Sequence, residues 1–145
     1  KVALPSVMLA AVLSITVNRL TMVATPSEIM AGTFNLQDSG QAIPHRTWTI
    51  TACGPDCVDV VASAGGDTAG YNGKATLSGG QWAMTVVRPD GVDCNDGTSG
   101  AGETTYSWNY SSLQGFRDTK VVSGCGVAAG SKTTGVKGFS LERVQ

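Results

Sequence analysis

The chain has 145 residues, 14% of them charged, a formal net charge of −1 and one histidine. That balance leaves no basic footprint for nucleic acid. The length allows one modest core rather than several domains of ordinary size.

Residues 2–17 carry no charge, and the next seven reach Ala24 with only Asn18 and Arg19 strongly polar. About 20 apolar residues suffice to cross the hydrocarbon core as a helix, so residues 1–24 are predicted to be a transmembrane helix. Ser6, Ala10, Ser14 and Asn18 recur at four-residue spacing. On a helix they form a stripe of small and hydrogen-bonding side chains, the kind that lets membrane helices pack closely. Arg19 stands where a long cationic side chain can snorkel to the far interface. The rival reading is a secretory signal peptide, with Lys1 as its charged flank. Its apolar run is longer than the usual 7–15 residues or so, and Met22-Val23-Ala24 makes a poor cleavage site, so a retained anchor is expected. Residues 25–32 follow as a juxtamembrane connector.

Residues 33–145 read as an all-β domain. All nineteen glycines lie beyond the anchor, and short β-rich runs alternate with clusters of Gly, Asn, Asp and Ser. Eight strands are predicted: Thr33–Asp38, Thr47–Cys53, Cys57–Ser63, Tyr71–Ser78, Gln81–Arg88, Thr104–Tyr110, Leu113–Ser123 and Thr134–Val144. Gly79-Gly80 between Leu77-Ser78 and Gln81-Trp82 suits a two-residue primed hairpin turn. Alternation puts Trp48, Ile50 and Ala52 on one face, and likewise Trp82, Met84 and Val86, then Tyr106, Trp108 and Tyr110, then Phe139 and Leu141. Sequential strands with one inward face favour a closed antiparallel meander barrel, which removes exposed edges. A two-sheet sandwich is the second choice. Trp48, Trp82 and Trp108 are core residues on this reading, or the lining of an apolar ligand cavity if the barrel is hollow.

Cys53, Cys57, Cys94 and Cys125 are an even, scattered set, as suits two disulfides in an oxidising compartment. Four cysteines allow three pairings. Sequence does not choose between them, but Gly54-Pro55-Asp56 is turn chemistry between two β-rich runs, which suggests Cys53 against Cys57 across a hairpin end and Cys94 with Cys125. Cys-Gly-Pro-Asp-Cys has one residue too many for a thioredoxin-type motif, and no helix follows to lower a thiol pKa. A four-cysteine zinc site normally brings its ligands in close pairs, and only one such pair exists. The cysteines therefore place the β-domain on the extracytoplasmic side of a plasma membrane, crossed once, with the N-terminus inside.

Chemistry is sparse. His45 follows Pro44 in a loop, and no serine context marks a nucleophile for it. No nucleophile elbow, phosphate-binding loop or zincin helix occurs. Asp90 to Gly97 gathers acidic side chains in one loop but lacks the spacing of a calcium-binding loop. Residues 53–103 hold seven acidic and two basic side chains, and residues 104–145 two acidic and five basic, an asymmetry able to orient the domain on a partner. Neither catalysis nor a cofactor or metal is expected.

Thr47-Trp48, Cys53-x-x-x-Cys57-Val58, Gly80-Gln81-Trp82, Cys94, Tyr106-Ser107-Trp108, Leu113-Gln114-Gly115, Gly124-Cys125-Gly126 and Phe139-x-x-x-Arg143 occur in one order. As a set they resemble an exported four-cysteine domain of mycobacterial and related actinobacterial single-span membrane proteins. Such domains follow the membrane span in some serine/threonine kinases and stand alone in small anchored proteins. This chain has no kinase domain, so no kinase activity carries over. The resemblance implies a non-catalytic accessory subunit of a multi-span membrane complex, foremost the respiratory cytochrome bcc–cytochrome c oxidase supercomplex, contacted through the helix within the lipid bilayer. The alternative is a membrane-anchored, lipocalin-like carrier or sensor of an apolar ligand.

Overall fold

The computed structural model describes residues 23–41, 46–65, 69–132 and 135–144. A short helix α1 (Pro26–Met30) precedes eight strands: β1 (Gly32–Asp38), β2 (Arg46–Gly54), β3 (Cys57–Ala62), β4 (Tyr71–Ser78), β5 (Gln81–Asp93), β6 (Ser99–Asn109), β7 (Gln114–Ser123) and β8 (Lys137–Arg143). Each strand pairs antiparallel with the next, and β8 returns to β1, closing the barrel. The expected meander barrel is thus the fold, and the sandwich is not. The predicted membrane span, with Ser6, Ala10, Ser14 and Asn18, lies outside the described residues apart from Val23 and Ala24. Among the described residues no helix is long and apolar enough to cross a membrane. His45 is likewise outside them.

Alternation along each strand fills the barrel. Phe34 and Leu36, Trp48 and Ile50, Val58 and Val60, Trp82 and Met84, Tyr106 and Trp108, and Phe139 and Leu141 all point inward and are buried. An eight-stranded barrel has an interior just wide enough for side chains to fill, and here aromatic rings fill it. Trp48 makes edge or tilted contacts with Tyr71, Tyr106, Trp108 and Phe139 at centroid distances of 5.3–6.5 Å. Its indole N–H donates to the Tyr71 hydroxyl at 3.0 Å. Burial, with Tyr106 beside it, raises the pKa of that phenol well above its usual value, so Tyr71 stays a neutral member of the network. Gly115 is where the packing leaves no room for a side chain: a Cβ there would stand 2.7 Å from Trp108 Cβ and 2.8 Å from Phe139 Cζ, and would strike the Ser107 carbonyl.

Both disulfides have the expected partners, Cys53–Cys57 and Cys94–Cys125. Gly79 and Gly80 both take positive φ, 59° and 79°, as the primed turn between β4 and β5 requires. Ala52 keeps the face of Trp48 and Ile50, opposite the buried Val58, but is exposed because it lies near the barrel's end. Two local expectations are corrected. Tyr110 is 57% exposed, since β6 ends at Asn109 and Tyr110 begins the next turn. The acidic stretch 90–97 is only partly a loop: residues 90–93 continue β5 past an irregularity between Arg88 and Val92. The hairpin turn is 94–98, where the Asp96 carboxylate accepts from the Thr98 N–H and hydroxyl. Those two bonds hold the Asp96 carboxyl below its usual pKa.

The two ends of the barrel differ. One is where β1, β3, β5 and β7 end, and it carries the Cys94–Cys125 bridge. It is closed on one side by Arg46, which is 7% exposed, donates to the Ser63 and Ala69 carbonyls and lies over the Tyr71 ring. At the other end the described strands are joined by tight turns (54–56, 79–80 and 110–113), and α1 leads the chain in there.

Candidate functional site

The short helix is specified by its own residues. Thr25 caps it, accepting from the Glu28 N–H at 3.4 Å while the Glu28 carboxylate accepts from the Thr25 N–H at 3.3 Å. Pro26 occupies the first turn, where its missing N–H costs nothing. This Thr-Pro-x-Glu signal is a capping box, legible in the sequence, although residues 25–32 read there only as a connector. Five residues do not make a stable helix alone, so tertiary contacts must hold it. Ser27 donates its N–H to the Pro55 carbonyl in the β2–β3 turn at 3.1 Å, and Met30, 3% exposed, joins the barrel core.

Arg143 at the end of β8 fastens the helix's other side. Its Nη1 donates to the Ala31 carbonyl at 2.8 Å and its Nη2 to the Ile29 carbonyl at 2.9 Å. The guanidinium carbon lies 4.6 Å from the centroid of the Phe34 ring. A cation at a helix C-terminus satisfies carbonyls that have no partner within the helix. Replacing Arg143 with Gln is expected to cost about 1–2 kcal/mol and to act locally. Hydrogen exchange should quicken at the Ile29 and Ala31 amides, and stay unchanged at Trp48 and Val60 in the barrel.

The helix covers the β2–β3 side of this end and leaves the other side open. An apolar cleft of about 630 Å³ remains between α1, the β4–β5 turn and the β6–β7 turn. Met30, Leu77 and Trp82 are among its apolar lining, with Pro26 and Ile29 on the helix side and Tyr110, Ser111 and Leu113 on the turn side. Ile29 is 62% and Tyr110 57% exposed. Among the described residues, Arg143 is the one charged side chain lining the cleft.

The β6–β7 rim is itself unusual. Asn109 Oδ1 accepts from the Ser111 and Ser112 N–H groups, folding the turn, and Leu113 is held at φ 61°. A leucine in the left-handed region carries a conformational cost that such turns sustain only when the surroundings fix it. Here the Leu113 N–H donates to the Asn109 carbonyl, its carbonyl accepts from Leu141, and its half-buried side chain packs on the core beside the cleft.

All three tryptophans expected around a ligand are fully buried: Trp82 lies beneath this cleft, while Trp48 and Trp108 sit in the aromatic core. Ile29, Met30, Tyr110 and Leu113 were not among the sequence-predicted site residues. The helix-capping signal at Thr25 and Pro26 pointed toward Ile29 and Met30, and none pointed toward Tyr110 and Leu113. Among the described residues, no group of three or more His, Cys, Asp or Glu side chains is arranged to hold a metal ion.

No family model, no curated protein and no solved structure matches the chain.

Proposed function

We propose that this chain is a non-catalytic, membrane-anchored accessory subunit, its disulfide-braced barrel held at the extracytoplasmic face by the apolar stretch 1–24. The observation that carries this reading is positional. The barrel end that receives the chain from that stretch is also the end with the apolar cleft and the exposed Ile29 and Tyr110. A domain standing free in water gains nothing from gathering these groups around one opening, whereas a domain resting against a membrane or a membrane protein does. The two disulfides support an oxidising compartment.

The stripe Ser6, Ala10, Ser14 and Asn18 is the contact with a multi-span partner. The respiratory supercomplex is the partner that the resemblance puts first. Tagged protein purified from native membranes in mild detergent is expected to bring that complex with it, identified by its haem absorbance and by its subunits. Ala10→Leu with Ser14→Leu, which fills the small-residue stripe, is expected to reduce co-purification at least tenfold while the chain remains in the membrane. Undiminished co-purification by the double variant contradicts the stripe, and purification without any membrane partner contradicts the accessory role.

The second reading, an anchored carrier of an apolar molecule, draws on the cleft itself. Its volume lies within the range usual for small-ligand sites.

A further inference from the structure

Resting on the anchored reading above, we propose that the cleft at the helix end takes one acyl chain of a membrane phospholipid, with the lipid phosphate facing Arg143. Four observations converge on that occupant. The first is reach. Ala24, the end of the apolar stretch, stands two residues before Pro26, a span of about 7 Å at full extension. Pro26 lines the cleft, so an interface at which the stretch ends lies beside the opening.

The second is chemistry. Pro26, Leu77 and Leu113 offer an apolar surface above the buried Met30 and Trp82, and the opening is flanked by the exposed Ile29 and Tyr110. Tyrosine is a side chain that membrane interfaces favour. The third is charge. Among the described residues no carboxylate lines the cleft, and the one charged side chain that does is the Arg143 guanidinium, which offers a phosphate an attraction.

The fourth separates a lipid from a peptide. All eight strands are paired around the closed barrel, so this end has no free sheet edge on which a peptide strand could add. The Arg143 donors Nη1 and Nη2 are already engaged by the Ala31 and Ile29 carbonyls. An acyl chain asks for no hydrogen bonds, and a headgroup phosphate at the mouth needs only the charge. Among the described residues the tight turns 79–80 and 110–113 leave the opening uncovered.

The test reads tryptophan fluorescence of the full chain reconstituted in phosphatidylcholine–phosphatidylglycerol vesicles, with either plain or dibrominated acyl chains. Bromine quenches tryptophan on contact. The expected result is that brominated lipid lowers the Trp82 component, measured as the difference between wild type and Trp82→Phe, at least twofold. Ile29→Glu and Tyr110→Asp, both at exposed positions, are expected to abolish that quenching while the near-ultraviolet circular dichroism of the barrel is unchanged. Equal fluorescence in plain and brominated vesicles, with the chain floating with the vesicles, overturns the lipid occupant and leaves the anchor standing. A second copy or the chain's own apolar stretch filling the cleft gives that same unquenched result. A chain that does not float with the vesicles overturns both readings.

Discussion

Trp48→Ala is expected to be the most destabilising single substitution in the barrel, costing about 3–5 kcal/mol. Trp48 is fully buried, and its ring touches Tyr71, Tyr106, Trp108 and Phe139. Truncation removes the shared partner of four aromatic rings, and the closed sheet cannot collapse to fill the space. It also takes a partner from the buried Tyr71 hydroxyl. Since whole domains are stable by only about 5–15 kcal/mol, the variant is expected to be largely unfolded at 37 °C. Urea denaturation followed by near-ultraviolet circular dichroism checks this through the midpoint.

A milder pair isolates the hydrogen bond. Trp48→Phe breaks the bond to Tyr71, whereas the buried Trp108 Nε1 has no hydrogen-bond partner among the described residues, so Trp108→Phe removes an unsatisfied donor. Both lose similar apolar volume from fully buried sites. Trp48→Phe is therefore expected to cost more than Trp108→Phe, by about 1–2 kcal/mol. Equal costs contradict the assignment of that bond.

Cys94→Ser with Cys125→Ser is the second large effect, about 3–4 kcal/mol in the chain-entropy treatment of a bridge spanning 31 residues. The bridge joins the β5–β6 turn to the long connection after β7, the least regular region of the barrel. Without it the connection after β7 is held by hydrogen bonds such as Gly130 to Val121 and Val121 to Ser131 and by the Lys120–Lys132 bridge. The Cys53–Cys57 bridge spans only four residues at a hairpin already set by backbone pairing, so Cys53→Ser with Cys57→Ser is expected to cost less. With a typical urea slope, loss of the longer bridge lowers the midpoint by about 2 M. The reverse order of the two double variants contradicts the loop-length account.

The barrel was legible because its inward positions are large and alternate without interruption. Trp82-x-Met84-x-Val86 and Phe139-x-Leu141 leave one choice of face, and Gly79-Gly80 leaves one turn. Where the alternation runs past a strand's end, as at Tyr110, the sequence misassigns the face. Ala52 keeps the expected face and is exposed only because it lies near the barrel's end. The extension of β5 to Asp93 was hidden by Pro89-Asp90-Gly91, residues that read as a turn and here accompany an irregularity in a paired strand. The disulfides followed from a local hairpin, so their partners could be read.

The cleft was the least legible feature. It is assembled from α1, two hairpin turns and the last residue of β8, each brought there only by closure of the sheet. Arg143 reaches residues 112 and 114 positions earlier in the chain, a contact that no local pattern announces. Leu113 at positive φ was equally invisible, since leucine carries no turn signal of its own.

Alkaline carbonate extraction of native membranes containing the full chain tests the central claim most directly. An anchored subunit stays in the membrane pellet, because a transmembrane helix inserts in an effectively irreversible manner while peripheral contacts are stripped. Retention of the chain in the pellet is the predicted result, and its complete release into the supernatant would contradict the account.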